Sequence, residues 1–187
     1  MAREKPARLL LVDPPWPFGD KLPGEGRGAE KHYATMSIDE IKTMPLPPIA
    51  DDALLLMWRV SAMVEEAYDV TRTWGFTPKS EIVWVKTTRE REYQELAGLR
   101  LHFGMGRYVR ASHESCILAV RGRMADKIKH HDVRSVFFAP VGVHSEKPDA
   151  IYKMAERLVD GPRVELFARR TRAGWTQYGN ELGKLDR

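Results

Sequence analysis

The residues best suited to chemistry are Asp13-Pro14-Pro15-Trp16. The acid closes a short apolar run, residues 8–12, that suits a buried strand. In open α/β sheets, ligands bind beyond the carboxyl ends of strands. An amine on an aromatic ring is a poor nucleophile, because its lone pair is delocalised into the ring. A carboxylate and a backbone carbonyl can each accept one of its hydrogens and draw the nitrogen toward tetrahedral geometry. Asp13 offers the carboxylate and Pro14 the carbonyl. Both prolines restrict their own φ, and Pro15 biases Pro14 toward extended backbone, which aims that carbonyl. Trp16 offers a flat face on which an extruded base can stack, worth roughly 1–3 kcal/mol. The bland alternative is a capped turn beside a core tryptophan, since Pro-Pro is also a common strand stop.

Positioning these groups requires a sheet. After residues 8–12, strands are expected at residues 53–58, 82–85, 115–120, 135–139, 164–167 and 175–178. Ser37-Ile38-Asp39-Glu40 has the capping-box pattern, so a short helix should begin there. Residues 61–74 carry Ala62, Met63, Ala67, Val70 and Trp74 near helical spacing, with Gly75 placed to stop the helix. Pro148 should open a helix whose apolar face is Ile151, Met154, Ala155 and Leu158. Gly161 and Pro162 should end it. Strands alternating with amphipathic helices indicate an α/β sheet with helices on its faces. Residues 17–36 read as a long glycine-containing loop, a kind that is usually functional or mobile.

The chain has 187 residues, 43% of them hydrophobic, enough for a single domain over residues 1–187 with one large core. One cysteine, Cys116, excludes an intramolecular disulfide and disfavours a thiolate metal site, so no metal is expected. The polar N-terminus and the absence of a long apolar run point to a cytoplasmic protein rather than a secreted or membrane one. The net charge of +4 is compatible with a polyanionic partner. Residues 121–134 hold five basic side chains against two aspartates, and residues 86–110 hold six against three glutamates. In the second segment Tyr93, His102, Phe103 and Tyr108 are interleaved with the charges. Such mixtures suit phosphate contacts and base stacking, and equally a solvated surface. Arg121, Arg123, Lys127 and Lys129 are the expected phosphate-binding residues, with Tyr33 and Trp58 as further candidates for substrate contact.

With these residues in view, the chain resembles the MT-A family of adenine N6-methyltransferases. The resemblance runs through Asp13-Pro14-Pro15-Trp16, Tyr33-Ala34-Thr35-Met36-Ser37, Leu56-Met57-Trp58 and Glu81-Ile82-Val83-Trp84-Val85-Lys86-Thr87. It continues in His113-Glu114-Ser115-Cys116, Lys147-Pro148-Asp149-Ala150-Ile151-Tyr152, Glu165-Leu166-Phe167-Ala168-Arg169 and Gly179-Asn180-Glu181. It implies a Rossmann-like methyltransferase fold in permuted order, with the catalytic strand first. It implies S-adenosylmethionine as cofactor and the exocyclic amine of adenine as acceptor. Asp13, Pro14, Pro15 and Trp16 would then be catalytic. Lys147 would meet the cofactor carboxylate, with Asp13, Ser145, Glu165, Arg169, Asn180 and Glu181 also around the cofactor. The segment containing Tyr33 resembles the family's active-site loop.

Departures from the family pattern are visible. Twelve residues precede Asp13, where larger relatives have an upstream strand against the cofactor adenine, so that part of the pocket is expected from elsewhere. Thr171 stands at a family histidine and Glu181 at a family glutamine, and the spacing around His144 differs. Gly104-Met105-Gly106 reads as a turn rather than a phosphate cradle. The expected substrate is nucleic acid, DNA in preference to RNA, and a homodimer is plausible for so small a domain. Two other classes compete: a non-catalytic scaffold for an active sister, which should have lost the acid, and an enzyme for a small molecule or protein amide.

Overall fold

The computed structural model describes residues 5–17, 35–88, 101–104, 108–143 and 146–186. Along these, strands and helices alternate: β1 (Ala7–Val12), α1 (Ile38–Thr43), β2 (Ile49–Arg59), α2 (Val64–Thr73) and β3 (Thr77–Thr87). There follow β4 (His113–Arg121), β5 (Val136–Pro140), α3 (Asp149–Leu158), β6 (Arg163–Leu166) and β7 (Thr176–Tyr178). The strands form one seven-stranded sheet in the order β5-β3-β4-β2-β1-β6-β7. β1 pairs parallel with β2 and β6, β3 with β5, and β6 with β7. Only β4 runs against its neighbours, antiparallel to both β2 and β3.

β1 lies inside this sheet and is covered on both faces, which is why it reads as an unbroken apolar run. Leu10 and Val12 join the core under α1 and α2, with Ile41, Ala67, Val70 and Trp74. Leu9 and Leu11 join the core under α3, with Ile151, Tyr152, Ala155 and Leu158. Each such leucine contributes about 1.5–3 kcal/mol by burial. Successive strands thus lead to helices on opposite faces, α1 after β1 and α3 before β6. The chain therefore diverges at the carboxyl end of β1, the position at which open α/β sheets hold ligands. Asp13 is the next residue.

Local signals account for most boundaries. Ser37 Oγ accepts the Glu40 N–H at 3.2 Å and the Glu40 carboxylate accepts the Ser37 N–H at 2.7 Å, so the capping box forms. Gly75, at φ 81°, follows α2, where a side chain would be strained. α2 starts at Val64 rather than at residue 61, because Ser61 and Ala62 are spent on a turn closed by Met63 N–H to Val60 O. β3 is eleven residues long, not four, since its polar residues occupy a half-exposed face. Pro148 is the N-cap of α3, and the helix ends at Leu158, before Gly161. Trp175 lies just outside β7 and packs edge-on to Tyr152 at 5.5 Å. Tyr33, Ser145, Tyr93 and most of the long loop fall outside the described residues.

Candidate active site at the end of the first strand

A cleft open to solvent lies beyond the carboxyl end of β1. Asp13, Trp58, Lys147, Tyr152, Glu165, Phe167 and Arg169 line it. Residues from four separate parts of the chain therefore meet there because the sheet order places β2 and β6 on either side of β1. Lys147 donates to Asp13 Oδ2 at 2.7 Å across 134 residues of sequence. The ammonium also approaches Glu114 Oε2 at 3.4 Å, and Glu114 Oε1 lies 2.5 Å from Lys86 Nζ. Negative and positive charges alternate along the series Asp13, Lys147, Glu114, Lys86. The two lysines stand over tryptophan rings, Lys147 at 5.4 Å from Trp58 and Lys86 at 5.2 Å from Trp84. Those rings meet edge to face at 6.3 Å.

The electrostatics follow from burial. Asp13 keeps 30% of its side-chain surface open through the cleft, yet protein surrounds it. Desolvation raises its pKa above the usual carboxylate value, and the neighbouring Lys147 ammonium offsets this only in part. Lys147 loses solvation as well, but two carboxylates outweigh the loss and hold it protonated. Burial opposes ionisation of Glu114 too, and there the two lysines win, so its pKa is lowered. Among the described residues no hydrogen bond is made by Asp13 Oδ1, which leaves that oxygen for a ligand.

A second group lies on the β6 side. Glu165 accepts from the Tyr152 hydroxyl at 2.6 Å through one oxygen and from Gln177 at 2.6 Å through the other. Its pKa is raised by burial, against those two hydrogen bonds. Desolvation and the Glu165 charge push the Tyr152 phenol well up. β6 is followed by Phe167 at φ 63°, the sole non-glycine residue with positive φ among those described. Such a conformation costs about 1–3 kcal/mol and is found where surrounding structure imposes it, often at a site. Arg169 pairs with Glu181 at 2.8 Å.

The sequence expectations divide. Asp13, Trp58, Lys147, Glu165 and Arg169 come together at the cleft. Asn180 is exposed on the turn after β7 and does not line it, and Glu181 reaches it only through Arg169. Gly179 beside them is required, because a Cβ there would stand 2.2 Å from Ala168 O. Trp16 differs from expectation: it is 3% exposed, packs in the core, and donates its indole N–H to Trp58 O at 3.0 Å. It tethers the turn after Asp13 to β2 and does not present an open face. The Pro14 carbonyl accepts the Trp16 N–H at 2.8 Å, so one of its two lone pairs is already used.

The basic segment expected to hold phosphates is not at this end of the sheet. Arg121 is paired with Ala53 in register, whereas the cleft lies beyond Met57 and Trp58. Six residues of strand separate Asp52 from Trp58, about 20 Å. Arg121 donates to Trp74 O at 2.8 Å, the Arg123 N–H binds Asp52 at 2.6 Å, Lys127 pairs with Asp52 at 2.9 Å and Lys129 with Asp160 at 2.8 Å. Local sequence cannot report which end of an antiparallel strand a charge run will follow. Conversely, Glu114, Lys86, Tyr152 and Gln177 were missed as site residues. The available signal was an acid opening the apolar strand run at Ser115, and a tyrosine on the buried face of α3.

The site chemistry fits an amino-acid head group carrying both charges: a carboxylate on Asp13 for an ammonium and the Lys147 ammonium for a carboxylate. The Trp58 indole N–H, buried without an acceptor among the described residues, is an unspent donor beside it. The fold is that of a Rossmann-like methyltransferase domain, with the strand that leads into the cleft first in the chain. The MT-A70 family matches residues 7–181, and the chain belongs to it. It is 31% identical over 177 residues to a putative N(6)-adenosine-methyltransferase MT-A70-like protein of Medicago truncatula, covering 93% of this chain and 26% of the relative. It is 30% identical to the N(6)-adenosine-methyltransferase catalytic subunit METTL3 of Homo sapiens, covering 93% of this chain and 28% of that protein. It is 27% identical over 200 residues to the type II methyltransferase M.MunI of Mycoplasma, covering 95% of this chain and 78% of the relative. The chain thus spans about a quarter of the plant and human proteins it matches.

Proposed function

We propose that the chain transfers a methyl group from S-adenosylmethionine to the exocyclic N6 amine of adenine in nucleic acid, with DNA as the substrate. The observation that carries this is the half-buried Asp13 carboxylate at the mouth of β1, one oxygen on Lys147 and the other without a described partner. The cofactor supplies an electrophilic methyl group on a sulfonium. Lys147 would hold its carboxylate, Asp13 its ammonium, and Glu165 its ribose hydroxyls. Toward adenine, Asp13 Oδ1 accepts one amine hydrogen and the remaining lone pair of the Pro14 carbonyl accepts the other. Both bonds localise the nitrogen lone pair for attack. Trp16 acts by fixing the turn, through its bond to Trp58 O. Transfer would break the sulfonium S–CH3 bond, leave S-adenosylhomocysteine and put a positive charge on the nitrogen, which the Asp13 carboxylate would stabilise until an N–H proton passes to solvent water through the open cleft.

Support for DNA over RNA comes from one relative, covered over 78% of its length, which is named a type II methyltransferase and not an adenosine methyltransferase. Methyl transfer from labelled S-adenosylmethionine to DNA, RNA and protein, offered separately, tests the proposal. Transfer to adenine in DNA is expected, and is lost in Asp13→Ala with the fold intact. Transfer to RNA alone would move the substrate to RNA, and transfer to protein alone would sink the nucleic-acid reading. Wild-type turnover by Asp13→Ala would remove the mechanism.

A further inference from the structure

The chain between β3 and β4 presents an unusual surface at the same end of the sheet as Asp13. Four of the nine exposed large hydrophobic side chains among the described residues are Leu101, Phe103, Tyr108 and Val109. Phe103 is 74% exposed and Tyr108 90%. Arg110 stacks over the Phe103 ring at 4.7 Å. The two arms carrying these residues are tied together: Gly104 N–H bonds Ala111 O at 3.2 Å, and Ser112 Oγ donates to His102 O at 2.8 Å. The first arm is also held to β3 by His102 N–H to Lys86 O at 2.8 Å. The second arm leads into His113 and Glu114, and Glu114 touches Lys147, which touches Asp13. The platform and Asp13 are therefore joined through the start of β4 and two ion pairs.

We propose that Phe103 and Arg110 form a stacking platform for unpaired nucleotides flanking the target adenine. This rests on the methyltransferase reading above and adds the strandedness of the substrate. Exposed aromatic rings offer little to a duplex, whose base faces are hidden, but stack on unpaired bases without regard to sequence. The charge agrees. The chain between β3 and β4, residues 88–112, carries five arginines against Glu90, Glu92 and Glu95, and its part from 101 to 112 has no Asp or Glu, so the segment is net basic. Among the described residues no carboxylate pairs with Arg110, whereas Lys127 and Lys129 across the sheet are both paired. A protein partner would equally cover the aromatic rings, but the net basic charge of the segment favours a polyanion.

The test compares wild type, Phe103→Ala/Arg110→Ala and Phe103→Trp. Affinity for a fluorescein-labelled, adenine-containing single strand and for the matching duplex is read by anisotropy. Melting temperature, S-adenosylmethionine binding by calorimetry and oligomeric state are measured in parallel. We expect wild type to prefer the single strand and the double variant to bind it about tenfold or more weakly. Folding and cofactor binding should be unchanged, and Phe103→Trp should keep wild-type affinity. Unchanged single-strand affinity in the double variant, with methyl transfer intact, overturns the platform and leaves the methyltransferase standing. A changed oligomeric state with unchanged oligonucleotide affinity also overturns it, in favour of an interface between copies. No transfer by wild type to any nucleic acid removes the parent reading first.

Discussion

Asp13 with Lys147 and Asp52 with Lys127 are the same pair of residue types at nearly the same distance, 2.7 and 2.9 Å, at opposite ends of the central strands. Their surroundings differ. Lys147 retains 11% of its side-chain exposure and Lys127 36%. At the Asp52 end, a backbone N–H from Arg123 and the ammonium of Lys127 lower the carboxyl pKa, with water still in reach. At the Asp13 end, burial dominates and the carboxyl pKa is raised in spite of its partner. Both carboxylates keep 30% of their side-chain surface open, so what differs is the lysine and the protein packed around the pair: with an exposed lysine it is a surface feature, and with a buried one it is a poised acid and a captive cation. Charge alone does not mark the site. Desolvated charge does.

That contrast can be broken experimentally, most strongly by deleting the acids. Asp13→Ala should lower methyl transfer about 10²-fold or more, the scale of losing one positioned group that meets developing charge. Asp52→Ala should transfer at the wild-type rate, which a labelled-methyl assay on both variants reads directly. Deleting the lysines comes next. Lys147→Ala strands a half-buried carboxylate and should destabilise the fold by roughly 1–3 kcal/mol in chemical denaturation. In calorimetry it should weaken S-adenosylmethionine binding more than oligonucleotide binding, and the reverse order would count against its assigned role. Lys127→Ala should do neither.

A smaller effect separates the two ends by pH. Asp13 must be ionised to accept the amine hydrogens, and its folded pKa is raised by burial. Transfer should therefore fall with decreasing pH while ordinary carboxylates are still ionised. The linkage has the opposite sign for stability: the folded state holds that proton more tightly than the unfolded chain, so ionising Asp13 costs stability as pH rises through its folded pKa. Asp52, with a lowered pKa, contributes stability above its unfolded value, lost as pH falls through the folded one. Activity should decline in acid before Asp52 is protonated, and parallel pH profiles of transfer and melting temperature check this. The smallest expected effect is none: Lys127→Ala/Lys129→Ala should bind oligonucleotide as wild type does across a salt titration.

Much of the fold was legible because its signals are local. The apolar run of β1, the capping box at Ser37, the stop at Gly75 and the apolar stripe of α3 each lie within a few residues. β3 was read too short, because Lys79 and Ser80 face solvent and break the apolar pattern while the backbone ladder continues. Trp16 was legible as an aromatic beside the acid, but its burial depended on an acceptor 42 residues away.

By itself the sequence determined the family, the acid at the end of the first strand, and the residues Lys147, Glu165 and Arg169 that belong with it, since each sits in a motif of adjacent residues. Only the tertiary structure decided that Glu114 and Lys86 extend the Asp13–Lys147 pair, and that residues 121–129 lie at the opposite end of the strands. The reason is physical. Residue type sets which charge a side chain can carry. Strand order and direction set which charges meet, and how much water is left between them.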